Sequence, residues 1–489
     1  MEQEVKTPTQ QLNTTLGKRA LNFYGISDFA FAFVANIENF FWMYYLTNVA
    51  QYPLVGLGLA NSIAYAADSF CQPIYAGLIS ALKPMRWGKN SSYMIVYSPL
   101  VMITFILCYT KIGGDTIGLF IVGFAMWATN GTRTMTWTSN LNMMNVLSLG
   151  NRDNRVMLAS RRATWSAASG LIYSYGVLNL INYLEQNLPP TISYAIMAGL
   201  TTGLYMIANC FSALWANKGY EYTGEAAKEE GKKEMNVISL PDLVKSVLQN
   251  PPLLTILTGA IISSCFTSAS ATGTTYNFRY IFDYSWYPIQ TLTGSIIGTF
   301  GSFFAGWAGK TFGTRNSVLM AQLGGIICNI TIALFFAYDN PLMCIVIMGI
   351  ARVFTSFSGA NMQALYGDCV TYARWKFGKD TSAMVIGSQT IPVKLGLTLR
   401  GVTVPLILSL TNFTPDPNMN QTNAPMELKR GIVIMTRWLP ACGSFIYMCI
   451  LFFGFRMLND ERMEQMQKEI DEREAAAKEA EAAAAAGSD

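Results

Sequence analysis

A single carboxylate, Asp68, stands in an apolar run from about residue 52 to residue 82 that contains no other charged residue. An ionised group at the depth of a lipid bilayer costs roughly 3 kcal/mol on insertion scales, so such a residue normally faces a partner or a water-filled pathway. Gln72 follows four residues later, directly before Pro73, and residues four apart share one face of a helix. Asp68 is therefore a candidate for binding or ion chemistry.

Two further acids, Asp28 and Glu38, lie in the first apolar run of the chain. Their separation of ten residues corresponds to about 15 Å along a helix. The two carboxylates therefore cannot share one site. Glu38 could pair with Arg133 of a later run or could carry a proton.

Histidine is absent, and the nine cysteines show no metal-ligand spacing. Acid–base, nucleophilic and metal chemistry based on His is thereby excluded, and a disulfide framework is not expected. We expect no metal, no cofactor and no enzymatic activity.

The composition predicts an all-α membrane protein that crosses the bilayer many times. Of 489 residues, 51% are hydrophobic and only 13% are charged, and several apolar runs exceed the roughly 20 residues that a spanning helix needs. The net charge of +4 gives no sign of nucleic-acid binding. Twelve predicted spans lie near residues 25–49, 53–82, 92–110, 116–142, 160–184, 190–215, 252–281, 288–308, 316–337, 341–369, 384–412 and 432–456.

Basic residues concentrate in alternate loops, which by the positive-inside rule places both termini in the cytoplasm. These loop residues are Lys18, Arg19, Lys83, Arg86, Lys89, Arg152, Arg155, Arg161, Arg162, Lys310, Arg315, Arg374, Lys376 and Lys379. An even number of spans follows from this orientation.

A charged link divides the chain into two six-helix halves. We predict an N-terminal half at 1–216, a cytoplasmic link at 217–250, a C-terminal half at 251–456 and a cytoplasmic tail at 457–489. Ser239 is a suitable N-cap with Pro241 in the first turn, so the link should contain a short helix. The alanine-rich end of the tail resembles an artificial helical spacer.

Several short segments resemble the glycoside-pentoside-hexuronide:cation symporter family of the major facilitator superfamily. They are GISDF (25–29), YYLTNV (44–49), KPMRWGK (83–89), SLPDLVKSVLQNPPLL (239–254), YNFRYIFD (276–283), GDCVTYARWKFGK (367–379) and QTIPVKLG (389–396). The resemblance covers essentially residues 17–455. It implies the major facilitator fold, a solute site near the bilayer midplane and alternating access.

The resemblance also implies roles for individual residues. Asp28 matches a carboxylate that binds sugar hydroxyls, although a structural ion pair is the alternative. Arg162 matches an arginine of the sugar site, although it could instead be a positive-inside anchor. Lys394 matches a lysine between the sugar and cation sites, with Asp68 as its expected partner, and Gln389 matches a glutamine that lines the cavity.

The chain departs from the family at the cation site. The family pattern in span two has two carboxylates, whereas here Asp68 is followed by the neutral Gln72. Thr134 or Thr138 occupies the position from which span four often contributes a ligand. A sodium site needs enough negative charge to offset cation dehydration, so we expect proton-coupled or uncoupled transport rather than family-type sodium coupling.

Arg133, beside Thr134, has more than one interpretation. Its guanidinium could neutralise Asp68 as a fixed cation, or face the cavity and hold an anionic solute through planar bidentate contacts. A purely structural buried pair is the third possibility. The indole ring of Trp137 is the preferred candidate for a sugar platform, because it has an apolar face and a polar edge.

We thus expect a secondary transporter for a sugar-like solute: a glycoside, pentoside, hexuronide or related organic anion. The alternatives are a carrier of a lipid-like or other non-sugar anion, and a transporter-like sensor or membrane subunit. The expected protein is a monomer in the bacterial inner membrane whose partners are the solute, the lipid bilayer and, if coupled, a proton. Its cytoplasmic gate would contain Arg86, Lys89, Arg374, Lys376 and Lys379.

Overall fold

The computed structural model describes residues 13–81, 85–149, 152–221, 248–377, 385, 388–416, 419–454 and parts of 462–473. Within these residues the chain is built from α-helices, without strands, and one isolated bridge joins Met85 and Gly88. The helix predicted within the link, Gln72's side chain, Lys379 and the end of the tail lie outside what is described.

The first part of the chain forms eight helices, which we number α1 to α8. They are α1 Lys18–Phe23, α2 Ile26–Tyr44, α3 Leu54–Ala81, α4 Lys89–Cys108, α5 Asp115–Ser148, α6 Arg152–Ile172, α7 Leu178–Asn187 and α8 Pro190–Phe211. Three five-residue π-helical turns interrupt or extend these helices. One extends α2 at Tyr45–Val49, one joins α6 to α7 at Tyr173–Val177, and one extends α8 at Ser212–Ala216.

The second part forms seven further described helices. They are α9 Pro251–Tyr280, α10 Trp286–Phe312, α11 Thr314–Thr331, α12 Pro341–Phe377, α13 Thr390–Leu410, α14 Met426–Val433 and α15 Leu439–Gly454. A π-helical turn extends α11 at Ile332–Phe336, and another joins α14 to α15 at Ile434–Trp438.

Nine helices of the described part are long and apolar enough to cross a membrane. Three more helical segments, namely α5, α6 with α7, and α10, are also long enough by their residue counts. The order of the helices agrees with twelve spans, a count that stays a prediction.

Two helices continue well beyond the ends that hydropathy predicts. α5 ends at Ser148 and α12 at Phe377, whereas the expected spans end near residues 142 and 369. Hydropathy marks only the part of a helix in hydrocarbon, and backbone hydrogen bonding can continue past it. α6 likewise begins at Arg152, before the expected start of span five near residue 160, so Arg155 lies within a helix together with Arg161 and Arg162.

The chain divides into two compact units whose limits differ from those of the predicted halves. The first unit comprises Met1–Val237, Ala271–Ser295 and Thr398–Ile432, and the second comprises Ile238–Ser270, Ile296–Leu397 and Val433–Asp489. In the first unit, α4 packs on α5 and α8, α3 packs on α5, and α2 packs on α6 and α8. In the second, α11 packs on α12 and α15.

Candidate charged site in the first unit

Asp28 and Arg162 form a bidentate ion pair between α2 and α6. The Nε atom of Arg162 lies 2.8 Å from Oδ2 of Asp28, and its terminal nitrogen lies 2.5 Å from Oδ1. The side-chain amide of Asn140 on α5 also donates to Oδ2, at 3.1 Å. Three helices therefore position one buried carboxylate, whose remaining lone pairs can accept hydroxyl donors.

Close helix packing brings this pair together. A Cβ atom at Gly25, which precedes α2, would lie 2.6 Å from Cδ1 of Trp165 and 3.1 Å from Cα of Arg162. The indole of Trp165 also donates to the carbonyl oxygen of Asn22, at 2.8 Å. Because only a glycine fits at position 25, α6 approaches α2 closely enough for Arg162 to reach Asp28.

Glu38 lies at the centre of a second cluster of charged groups. Arg133 of α5 lies 2.5 Å from Oε2 of Glu38, and the hydroxyl of Tyr65 on α3 donates to Oε1 at 2.7 Å. Arg400 of α13 donates to that hydroxyl at 2.8 Å and to Oδ1 of Asn39 at 2.9 Å. We call Glu38, Tyr65, Arg133 and Arg400 the Glu38 network.

The Glu38 network contains one carboxylate and two guanidiniums, all buried. Nearby positive charge favours the ionised form of a carboxyl group. The pairing of Glu38 with Arg133 is one of the arrangements that the sequence suggests. The contribution of Arg400 is missed by the sequence analysis, although the signal that singles out Asp68, a charge within an apolar run, also marks Arg400 in LGLTLRGVTVPL.

An aromatic pair borders Arg133. Its guanidinium lies 5.3 Å from the centre of the Phe31 ring, within the range of a cation–π contact. That ring stacks on Trp137 with 5.8 Å between centroids. Trp137 is only partly buried, so it presents some of its surface beyond this stack.

The remaining predicted residues of the solute and coupling sites lie on α3, on α5 and at the start of α13. Asp68 is fully buried on α3, and Thr134 is partly buried on α5 next to Arg133. Gln389, in the turn before α13, and Lys394, in its first turns, are partly buried and belong to the second unit. The pairing of Asp68 with Lys394 stays a prediction.

The predicted gate residues occupy the ends of helices. Arg86 lies in an exposed turn, Lys89 is the first residue of α4, and Arg374 is exposed near the end of α12. Lys376 donates to the carbonyl oxygen of Gln249 at 3.1 Å. The gating role of these residues stays a prediction.

The turn before α4 is held by an acid from the start of the link. Both oxygens of Glu221 accept backbone hydrogen bonds, from Asn90 at 2.8 Å and from Ser91 at 3.0 Å. Gly88 has a φ of +104°, and a Cβ atom there would lie 2.7 Å from Oε2 of Glu221. A glycine is therefore required where the chain enters α4.

Among the described residues no group of three or more His, Cys, Asp or Glu side chains could hold a metal ion. The described residues of the first unit contain buried charges that pair and hydrogen-bond between long helices, of which α2 belongs to a segment apolar enough to cross a membrane. Intramembrane charges of this kind mark solute or ion pathways. Fold and site together define a membrane transport protein.

The chain belongs to the MFS/sugar transport protein family, whose model matches residues 23–458. It is 22% identical over 460 residues to the uncharacterized symporter YjmB of Bacillus subtilis, covering 91% of this chain and 93% of the relative. It is 21% identical over 433 residues to the isoprimeverose transporter of Lactiplantibacillus pentosus, covering 88% and 87%. The family and these relatives are transporters.

Two solved transporter structures show the same fold. The nucleoside transporter NupG superposes with a TM-score of 0.63 at 10% identity, covering 89% of this chain and 99% of NupG. A bacterial homologue of the lysosomal transporter Spinster superposes with a TM-score of 0.60, also at 10% identity, covering 90% and 96%. The chain is a multi-pass, all-α membrane protein that transports sugar-like solutes.

Proposed function

We propose that this protein moves a glycoside, pentoside, hexuronide or related organic anion across the bacterial inner membrane by alternating access. The observation that carries the proposal is the bidentate pair of Asp28 and Arg162, buried between α2 and α6 and supported by Asn140. Paired charges within membrane spans are rare, and they commonly mark solute or ion pathways. The isoprimeverose transporter among the relatives supports a sugar-like solute.

Asp28 is proposed to bind hydroxyl groups of the solute. Arg162 fixes the orientation of the carboxylate, because both of its contacts are hydrogen bonds in a planar fork. Each carboxylate oxygen can accept additional hydrogen bonds, so sugar hydroxyls can join without breaking the pair. Trp137, Arg133, Gln389 and Lys394 are proposed to complete the solute site.

Coupling is proposed to use a proton or no ion, and not sodium in the family manner. The sequence has Gln72 where the family has its second carboxylate in span two. Glu38 is engaged by Arg133 and Tyr65, so its charge is already neutralised within the protein. A hydrated sodium ion would find too little negative charge to replace its water.

The remaining parts of the proposal concern the oligomeric state, the orientation in the membrane and the gate. The protein is proposed to work as a monomer without catalysis and without a cofactor, with both termini in the cytoplasm and a gate formed by the basic loops around Arg86 and Arg374. The positive-inside distribution of Lys and Arg supports this orientation.

Solute counterflow tests the proposed function. Purified protein would be reconstituted into vesicles loaded with an unlabelled sugar and then diluted into labelled sugar, using methyl glucoside, D-xylose and D-glucuronate as the panel. We expect labelled solute to rise transiently above its equilibrium level for at least one compound, with protein-free vesicles as control. A folded protein that exchanges none of them would favour the sensor or subunit alternative.

A further inference from the structure

The tail has one apolar face ahead of its alanine-rich end. We call residues 462–473 the tail segment, and its described residues are helical. Met466 and Ile470 are only 3% and 4% exposed, and a spacing of four residues places them on one face of a helix. Gln465 and Lys468 are exposed. The tail segment therefore buries one face and leaves another in water.

The buried face packs into the apolar core of the second unit. Met466 belongs to a cluster of buried residues that α9, α11, α12 and α15 also supply, among them Tyr372 near the end of α12. Ile470 is buried four residues later. Full burial of two such side chains favours docking by roughly 100-fold or more, before the entropy cost of ordering the tail.

Polar contacts join the tail segment to the last turn of α12. The indole nitrogen of Trp375 donates to Oε2 of Glu469 at 2.7 Å. A terminal nitrogen of Arg473 donates to the backbone carbonyl oxygen of Trp375 at 2.9 Å and lies 3.6 Å from Oε2 of Glu469. The last four carbonyl groups of an α-helix have no partner within the helix. Arg473 therefore satisfies one of these groups in α12, which ends at Phe377.

The same stretch of α12 is tied to the entry of α9. The ammonium group of Lys376 donates to the carbonyl oxygen of Gln249 at 3.1 Å, and the side-chain amide of Asn250 donates to that of Cys369 at 3.0 Å. Two segments that are far apart in sequence thus hold the end of α12. Its last turn carries the predicted gate residues Arg374 and Lys376.

We infer that Glu469 and Arg473 are positioning residues of the gate, which act through Trp375 to keep the last turn of α12 in the orientation that gating needs. The inference rests on the proposed function, and within it on the gate formed by the basic residues of this turn. Helix ends fray, and ordering the backbone of each residue costs conformational entropy. A gate whose last turn must be reordered in every transport cycle closes more slowly.

Counterflow kinetics test the inference. Arg473→Ala removes the donor to the carbonyl of Trp375, and Glu469→Ala removes the acceptor of its indole. We expect each variant to lower the maximal rate by roughly 5-fold, as for the loss of one hydrogen bond. The half-saturating solute concentration should not change, because the proposed solute-binding pair belongs to the first unit. Arg473→Lys should recover part of the rate, and Arg462→Ala, which removes an equal charge from an exposed residue of the tail segment, should keep the wild-type rate.

A second variant undocks the whole tail segment. Met466→Ser together with Ile470→Ser replaces its buried face, and Gln465→Ser together with Lys468→Ser is the matched control at two exposed positions. We expect the buried pair to lower the maximal rate at least as far as Arg473→Ala does, and the control pair to leave it unchanged. If the buried pair fails to fold, Arg473→Ala still provides the test, because this side chain is 60% exposed.

Rates are compared per folded molecule, alongside the unfolding temperature of each variant. A wild-type rate in Arg473→Ala or in a folded buried pair overturns the inference while transport by the wild-type protein stands. A loss of rate that disappears once the folded fraction is counted assigns the tail segment a purely structural role, which also overturns the inference. If the wild-type protein exchanges no solute, the proposed function fails and the inference falls with it.

Discussion

Replacing Glu38 by Gln should severely destabilise the protein. The change leaves Arg133 and Arg400 buried without a carboxylate, while their contacts with Asn130 and Tyr65 remain. Breaking a buried charge pair by removing one partner typically costs about 3–5 kcal/mol. We expect a much lower unfolding temperature in detergent, followed by tryptophan fluorescence, and a reduced yield of protein in the membrane.

The double variant Glu38→Gln with Arg133→Gln is the matched control. It removes one acid and one base, so the network keeps its original net charge and part of the lost stability should return. If Glu38 instead served only as a proton carrier, the single variant would unfold at the wild-type temperature and lose only the pH dependence of transport. That result would contradict the structural role of the Glu38 network.

Replacing Asp28 by Asn should abolish most of the transport activity. The variant loses the bidentate pairing with Arg162 and the charged acceptor that is proposed to bind the solute. Hydrogen bonds to charged groups contribute about 1.5–3 kcal/mol each, so losing two that solute hydroxyls are proposed to donate to Asp28 reduces transport by roughly 100-fold or more. The rate of counterflow per folded molecule measures the loss.

A paired variant separates binding from structure. In Asp28→Asn with Arg162→Gln both charges are absent, so any cost of an unpaired buried arginine disappears. We expect this protein to unfold close to the wild-type temperature and still to transport poorly. Recovery of transport along with stability would mean that Asp28 and Arg162 only hold α2 against α6.

The helical architecture could be predicted from the sequence because long apolar runs have only one way to satisfy their backbone groups in lipid. The residues at which helices end could not be predicted, as α5 and α12 show. Hydropathy marks only the part of a helix that lies in the hydrocarbon core, and both helices continue past it. The assignment of three separate chain segments to each compact unit was also not predictable, because it depends on contacts between segments that are distant in sequence.

The buried charges themselves were predictable, but their pairing was only partly so. Asp28, Glu38 and Arg133 stand out as charges within apolar runs, and the sequence suggests the pair of Glu38 with Arg133 as one alternative. Arg400 joins this network through Tyr65 and Asn39, a three-dimensional arrangement that sequence spacing does not encode.

We propose that this sugar transporter does not use sodium, because Gln72 stands where the symporter family that the sequence resembles has the second carboxylate of span two. The most direct measurement is solute uptake into proteoliposomes with the sodium gradient and the proton gradient imposed separately. We predict that an inward sodium gradient leaves accumulation unchanged, whether or not a proton gradient drives it. Accumulation driven by sodium alone would contradict the account.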